Sequence, residues 1–216
     1  MCGRFMLLSE GENSEIDKIL KDISEKYKNQ HAQIKLGDIY PTDLAPVVTK
    51  QNNDKTFELF KWGFPLVHKE KKSLLINARG ETLEEKMTFK NLLKSKRCII
   101  PASAFYEWKT VGKDKHKYLI KPQGKDLFYM AGLYNTFTDL QGNPYTGFVI
   151  ITTEANQQIS LIHHRMPVIF SRSEEAELWM DNSDYNLTLL KRVIRPYEEK
   201  LFMEAETISL FDNTVF

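Results

Sequence analysis

The feature that most restricts the fold of this chain is a series of short runs rich in β-branched and aromatic residues. They are Phe57 to Gly63, Arg97 to Pro101, Phe105 to Trp108, Lys117 to Lys121, Phe128 to Phe137, Thr146 to Thr153 and Pro167 to Phe170. Such runs suit a pleated, half-buried surface and read as strands. Two connections, TVGKDK and TDLQGNPYTG, hold Gly, Asn, Asp and Pro at turn-like density, so they read as hairpin loops.

Helical periodicity is confined to a few stretches. NSEIDKILKDISEKY places Ile16, Ile19, Leu20, Ile23 and Tyr27 on one face behind a Ser14 cap. Thr82 and Glu85 have capping-box spacing ahead of Leu83, Met87, Leu92 and Leu93, predicting a second cover helix. A third is expected from near Ser171, with Glu174 three residues on and Leu178 and Trp179 turned inward. In LTLLKRVIRPYEEKLF, Pro196 ends or kinks any helix at Arg195. Strand runs with helices grouped at intervals give an α+β class, a largely antiparallel sheet or barrel flanked by helices. No repeat, low-complexity tract or linker divides the 216 residues, so one domain is expected.

Charge and cysteine usage narrow the function. Thirty Lys and Arg against 29 Asp and Glu leave a formal charge of +1, so any phosphate binding has to be local. Cys2 and Cys98 lie far apart without CxxC spacing, which fits a reducing compartment and no disulfide framework. No apolar stretch approaches the roughly 18 residues of a membrane span, and Gly3, Arg4, Ser9 and Glu10 interrupt the N-terminus before a signal-peptide core can form. The expectation is a cytoplasmic protein without membrane contact.

The N-terminal MCGRF raises a specific chemistry. If Met1 is removed, Cys2 carries a free α-amine beside its thiol, and an aldehyde can condense with the amine and then accept the thiol, closing a thiazolidine. The other reading is that Cys2 is a small buried apolar residue. Four internal stretches are compositionally odd: KWGFP with Trp62, INARGET with Asn77, Arg79 and Glu81, IIPASAFYEWK with Glu107 between Tyr106 and Trp108, and IHHRMPVIF with His163, His164 and Arg165. Glu107 needs a partner if buried, while strand alternation offers the alternative of pointing it to solvent. Cys2, Cys98, Glu107, His163 and His164 lack metal-ligand spacing, so no metal is expected.

Taken in order, MCGRF, PTDLAPV, KWGFPL, INARGET, RCIIPASAFYEWK and HHRMPVIF resemble the SOS response-associated peptidase family, also called SRAP or abasic site processing proteins. The resemblance covers a motif-bearing core of about 2–180 and leaves 181–216 as a C-terminal extension. It implies a single α+β domain with a twisted, barrel-like sheet and a groove for single-stranded DNA, no cofactor, and an abasic site as substrate. It further implies that Cys2, after loss of Met1, forms a thiazolidine crosslink to the ring-opened sugar. Asn77 would position the sugar or the Cys2 backbone, Glu107 would shuttle protons at the amine, and His163 would protonate the sugar oxygen. Arg4, Arg79 and Arg165 would grip phosphates, Trp62 and Trp108 would stack on or wedge against bases, and Pro41 would line the groove. A monomer in the bacterial cytoplasm, at the nucleoid, is expected, with replication-fork partners unspecified. The competing expectations are a thiol peptidase built on Cys2, Glu107 and His163, a lyase acting through an imine, and a non-covalent single-strand binder.

Overall fold

A computed structural model describes residues 2–9, 14–28, 34–51, 54–68, 71–183 and 185–206. Its strands are β1 (Phe5–Leu7), β2 (Gly37–Ile39), β3 (Leu44–Gln51), β4 (Asp54–Trp62), β5 (Phe64–His68), β6 (Lys71–Leu75), β7 (Asn77–Arg79), β8 (Arg97–Ala102), β9 (Ala104–Val111), β10 (Asp114–Pro122), β11 (Phe128–Thr138), β12 (Pro144–Glu154), β13 (Arg165–Pro167) and β14 (Leu201–Ala205). Its helices are α1 (Glu15–Tyr27), α2 (Met87–Lys90), α3 (Leu92–Ser95), α4 (Ser173–Met180) and α5 (Leu187–Val193). The removal of Met1 and the last ten positions of the expected C-terminal extension fall outside the described residues.

The centre is a ring of five strands. β11 pairs with β8, β8 with β3, β3 with β4, β4 with β12, and β12 returns to β11, so the sheet closes on itself and has no free edge there. All these pairings are antiparallel except β12 with β4. A second sheet in the order β14-β10-β9-β1-β2 packs beside it, and β5–β6 form a separate hairpin. The α+β class with a largely antiparallel, barrel-like sheet is thus observed.

Alternation along the strands separates two cores. Cys98, Ile100 and Ala102 of β8 join Phe105, Phe128, Met130, Phe148 and Ile150 on one side, while Ile99 joins Ala131, Leu133, Val149, Ile151 and Trp179 on the other. Every residue of β8 is buried, which explains why its apolar run is continuous rather than alternating. α1 covers the first core with Ile16, Ile19 and Ile23, and its Ser14 and Asp17 form a reciprocal capping box.

One expected helix does not form. The chain makes a 3-10 turn at Gly80–Thr82, followed by α2 and α3, each four residues long, and Glu85 donates its N–H to the Thr82 carbonyl (3.2 Å) rather than capping a helix. The cause is spacing. Leu83, Phe89, Leu92 and Leu93 are all buried against the barrel, yet on one straight helix they would spread around more than one face. Met87 is left exposed as the chain turns. The third helix starts at Ser173, with Trp179 buried as expected and Leu178 half-buried. α5 ends at Val193, ahead of Pro196.

Arg97 holds these pieces to the barrel. Its guanidinium is fully buried and donates to the carbonyls of Leu93 (2.6 Å), Lys94 (2.9 Å), Trp179 (2.6 Å) and Asp181. It therefore satisfies the free carbonyls at the ends of both α3 and α4. The strand pairing of β12 with β7 and β13 then carries two of the chemical stretches to one end of the barrel.

Candidate active site

Cys2 is placed by backbone pairing before its side chain enters the argument. β1 pairs with β9 through Phe5 opposite Phe105, and the Tyr106 N–H donates to the Arg4 carbonyl (3.0 Å). This lays residues 2–4 along the strand that carries Glu107. Cys2 is fully buried, and its thiol donates to the Arg4 carbonyl at 3.6 Å. On the other side, β7 pairs with β12 through Asn77 opposite Ile150, and Asn77 Nδ2 donates to the Cys2 carbonyl at 2.9 Å. Asn77 Oδ1 is buried and has no hydrogen-bond partner among the described residues.

Glu107 points inward with 1% of its surface exposed, so the solvent-facing alternative for this residue does not hold. Burial pushes its carboxyl up to about 7, while the positive charge at the amino terminus works the other way. His163 sits with Nδ1 3.9 Å from Glu107 Oε1, placed by the turn before β13. The backbone of Arg165 holds that ring from both its polar groups, its N–H 3.0 Å and its carbonyl 3.2 Å from Nδ1. Burial holds His163 below its ordinary value, and so keeps it neutral at pH 7. Burial and then the Glu107 charge push the Cys2 thiol well up, so it stays protonated.

The remaining expected residues fall into two groups. Arg4, Trp108, Pro41 and Arg79 reach the surface, Arg79 being exposed and the other three half-buried. The Arg4 guanidinium lies over three rings, 4.4 Å from Tyr40, 5.7 Å from Tyr106 and 5.4 Å from Trp108, with Asp38 at 3.4 Å. The Tyr106 hydroxyl donates to Asp38 (2.8 Å), so the carboxylate anchors both arginine and ring.

Trp62 and Arg165 are interior. Trp62 is fully enclosed between Phe5 and Phe148, with its indole N–H on the Ile76 carbonyl (3.0 Å). Its backbone fixes the turn that presents Pro41: its carbonyl accepts from the Thr42 N–H and its own N–H donates to the Asp43 carbonyl, both at 2.9 Å. Gly63 follows at φ +118°, which only glycine adopts freely, and its N–H donates to the Phe148 carbonyl at 2.7 Å. Arg165 is 7% exposed and makes a two-pronged pair with Glu81 (2.7 and 2.8 Å) plus a bond to the Thr152 carbonyl (2.7 Å). That pair holds Glu81 below its usual carboxylate range against the opposing effect of burial.

Sequence reasoning did not single out Tyr40, Asp38 or Glu81 for roles. Their signals were present as neighbours, Tyr40 directly before PTD and Glu81 inside INARGET, but the ring cage on Arg4 depends on β1, β2 and β9 lying side by side. Among the described residues, no three His, Cys, Asp or Glu side chains converge as metal ligands, and no helix is long and apolar enough to cross a membrane.

Comparison with known proteins agrees on one family. The family described as "SOS response associated peptidase (SRAP)" matches residues 1–210. The chain is 37% identical to abasic site processing protein YoqW of Bacillus subtilis, over 99% of this chain and 95% of that protein. It is 28% identical to abasic site processing protein YedK of Escherichia coli, over 83% of this chain and 79% of that one. A solved structure of a Bacteroides thetaiotaomicron protein shares the fold with a TM-score of 0.77 at 23% identity, covering 99% of this chain and 95% of that one.

Proposed function

Because the chain belongs to the SOS response associated peptidase (SRAP) family, we propose that it processes abasic sites in single-stranded DNA by covalent capture on Cys2, once Met1 has been removed. The observation that carries this reading is the convergence on the residues just ahead of β1: Asn77 holds the Cys2 carbonyl, and Glu107 of the paired strand and His163 face each other at 3.9 Å.

The chemistry follows from that placement. The α-amine attacks the aldehyde carbon of the ring-opened sugar, giving a carbinolamine. As the ring opens, neutral His163 relays a proton: it takes the proton of the C1′ hydroxyl and delivers one to the ring oxygen, and so ends neutral as it began. Glu107, titrating near neutrality, takes a proton from the attacking ammonium and returns it to the departing hydroxyl, which leaves as water. The Cys2 sulfur then adds to the imine carbon, and its proton passes through Glu107 to the nitrogen, closing the thiazolidine. One water is released overall and nothing is oxidised or reduced. Asn77 Oδ1 accepts a hydrogen bond from a sugar hydroxyl while Nδ2 keeps the Cys2 backbone in place, a positioning role.

The same electrostatics weigh against a thiol peptidase. Such an enzyme needs a thiolate at neutral pH, whereas burial and Glu107 both raise the Cys2 thiol. An amine-first sequence avoids the conflict, because the thiol acts second and on an electrophilic imine. Arg4, Arg79, Trp108 and Pro41 line the groove for the strand, with Trp62 and Arg165 supporting it from the interior. A single folded unit over 1–216, acting as a monomer in the cytoplasm, completes the reading.

The test is an oligonucleotide pair, one with an abasic site and one with a tetrahydrofuran analogue that lacks the aldehyde. A heat-stable adduct on a denaturing gel with the first and none with the second is the expected result. Equal behaviour of the two would overturn covalent capture.

A further inference from the structure

The strand that carries Glu107 continues past the site into an unflanked ribbon. β1 meets β9 only at Ala104 and Phe105, with one more backbone bond at Tyr106, and β14 meets β10 no further out than Tyr118 and Lys117. From Trp108 to His116 the β9–β10 hairpin therefore has no strand on either edge among the described residues. This stretch carries Lys109, Lys113, Lys115 and His116 against a single acid, Asp114. Lys113, Lys115 and His116 are exposed and Lys109 is half-buried. None of the three lysines forms an ion pair among the described residues, in contrast to Lys117, which is held by Glu206 at 2.8 Å.

The register gives the ribbon a direction. Glu107 lies opposite Tyr118 and Lys109 opposite His116, so Lys109 and His116 make the next same-face rung out from the reactive carboxylate. Successive same-face rungs are about 7 Å apart. Beyond that rung the same face carries Val111 opposite Asp114, while Lys115, opposite Thr110, lies on the other face with Trp108, so the ribbon offers basic side chains on both faces in a chain whose net charge is only +1. Of the acids in the EEKLFMEAE segment, Glu204 and Glu206 lie beside the base of the ribbon, where Glu206 is taken up by Lys117.

We propose that the β9–β10 ribbon is a second DNA contact, gripping backbone phosphates of the single strand one to two nucleotides from the lesion. Lys109 and His116 meet the nearer phosphate on the face that carries Glu107, and Lys113 at the tip with Lys115 on the opposite face, which also carries Trp108, meet the next where the strand passes over the ribbon's edge. The inference rests on the DNA reading of the site and assigns the ribbon to one flank of the lesion. Lysines on an unpaired edge also discourage pairing with another chain, and the experiment separates the two roles.

A K109Q/K113Q/K115Q variant would be compared with the parent protein by fluorescence anisotropy on an unmodified single-stranded oligonucleotide, at about 50 and about 200 mM salt. Unchanged circular dichroism and melting would establish that the variant is folded. Each phosphate contact on a single strand contributes about 0.7 to the slope of log affinity against log salt. The expected result is a slope shallower by about 2 and an affinity at least about tenfold weaker at the lower salt, with full adduct yield once the abasic strand is saturating. Oligonucleotides ending at the lesion on either side should show the variant's deficit on one flank only. Parental affinity and slope in the variant would overturn the proposal and leave edge protection as the ribbon's role. Weakened binding of the variant, with no adduct even from the parent, would retain the ribbon contact while rejecting covalent capture.

Discussion

One residue added ahead of Cys2 is expected to abolish adduct formation, a loss of at least about a thousandfold set by the combined effect of nucleophile and positioning. The thiol survives such an extension and so do Asn77, Glu107 and His163, but the α-amine is converted to an amide with no basic lone pair. An amide cannot form the imine, and a buried, protonated thiol adds poorly to an aldehyde on its own. The measurement is a time course of adduct formation on abasic single-stranded DNA, comparing an accurately processed protein with one that keeps an uncleavable residue before Cys2. A thiolate-only mechanism predicts that the extended protein still reacts. Binding to intact single strands should be unaffected within about twofold, because the groove residues Arg4, Arg79 and Trp108 are not displaced.

Glu107→Gln has the second-largest expected effect, and it acts in opposite directions on rate and stability. In its proposed role of proton shuttle Glu107 would contribute about a hundredfold to a thousandfold, so the variant should form adduct that much more slowly. Stability should rise. The carboxyl of the folded protein titrates at about 7 against an ordinary value of 4.5, so between those values the folded state binds more protons than the unfolded chain. Stability contributed by this group is then greatest at low pH and falls as pH rises through the window, with a cost of about 3 kcal/mol above it. Glutamine removes the charge and keeps the shape. Thermal melts should find the variant and the parent equal near pH 4.5 and the variant more stable by several degrees at pH 8, at about 2–4 °C per kcal/mol. A variant less stable than the parent at pH 8 would show that the ionised carboxylate is compensated in the fold.

How far the sequence led can be judged element by element. The long strands β11 and β12 were legible because each carries a run of β-branched and aromatic residues bounded by turn residues, and α1 because its apolar spacing and Ser14 cap agree. The short strands β1, β2 and β7 were not, since three residues give no periodicity to read. The helix expected after Thr82 failed where local capping signals lost to the need to bury four side chains in different directions. At the site, Glu107 could be suspected because a carboxylate between Tyr106 and Trp108 is costly to bury, but only the β1–β9 pairing shows that it lies beside Cys2. The enclosed position of Trp62 and the Glu81 clamp on Arg165 were hidden for a related reason. Tryptophan and arginine are equally at home in a groove or a core, and Arg79 and Arg165 come from distant segments that meet only by pairing with β12, Arg79 opposite Thr152 and Arg165 opposite Glu154.

The central claim is that the amine and thiol of Cys2 together capture one aldehyde carbon. Intact-mass spectrometry of the protein after incubation with an abasic single-stranded oligonucleotide tests it directly, followed by peptide mapping of the adduct. The account predicts a species lacking Met1, heavier by the oligonucleotide less one water, mapping to Cys2, with the thiol no longer alkylatable. An adduct mapping to another residue, or one on Cys2 whose thiol still reacts with iodoacetamide, would contradict it.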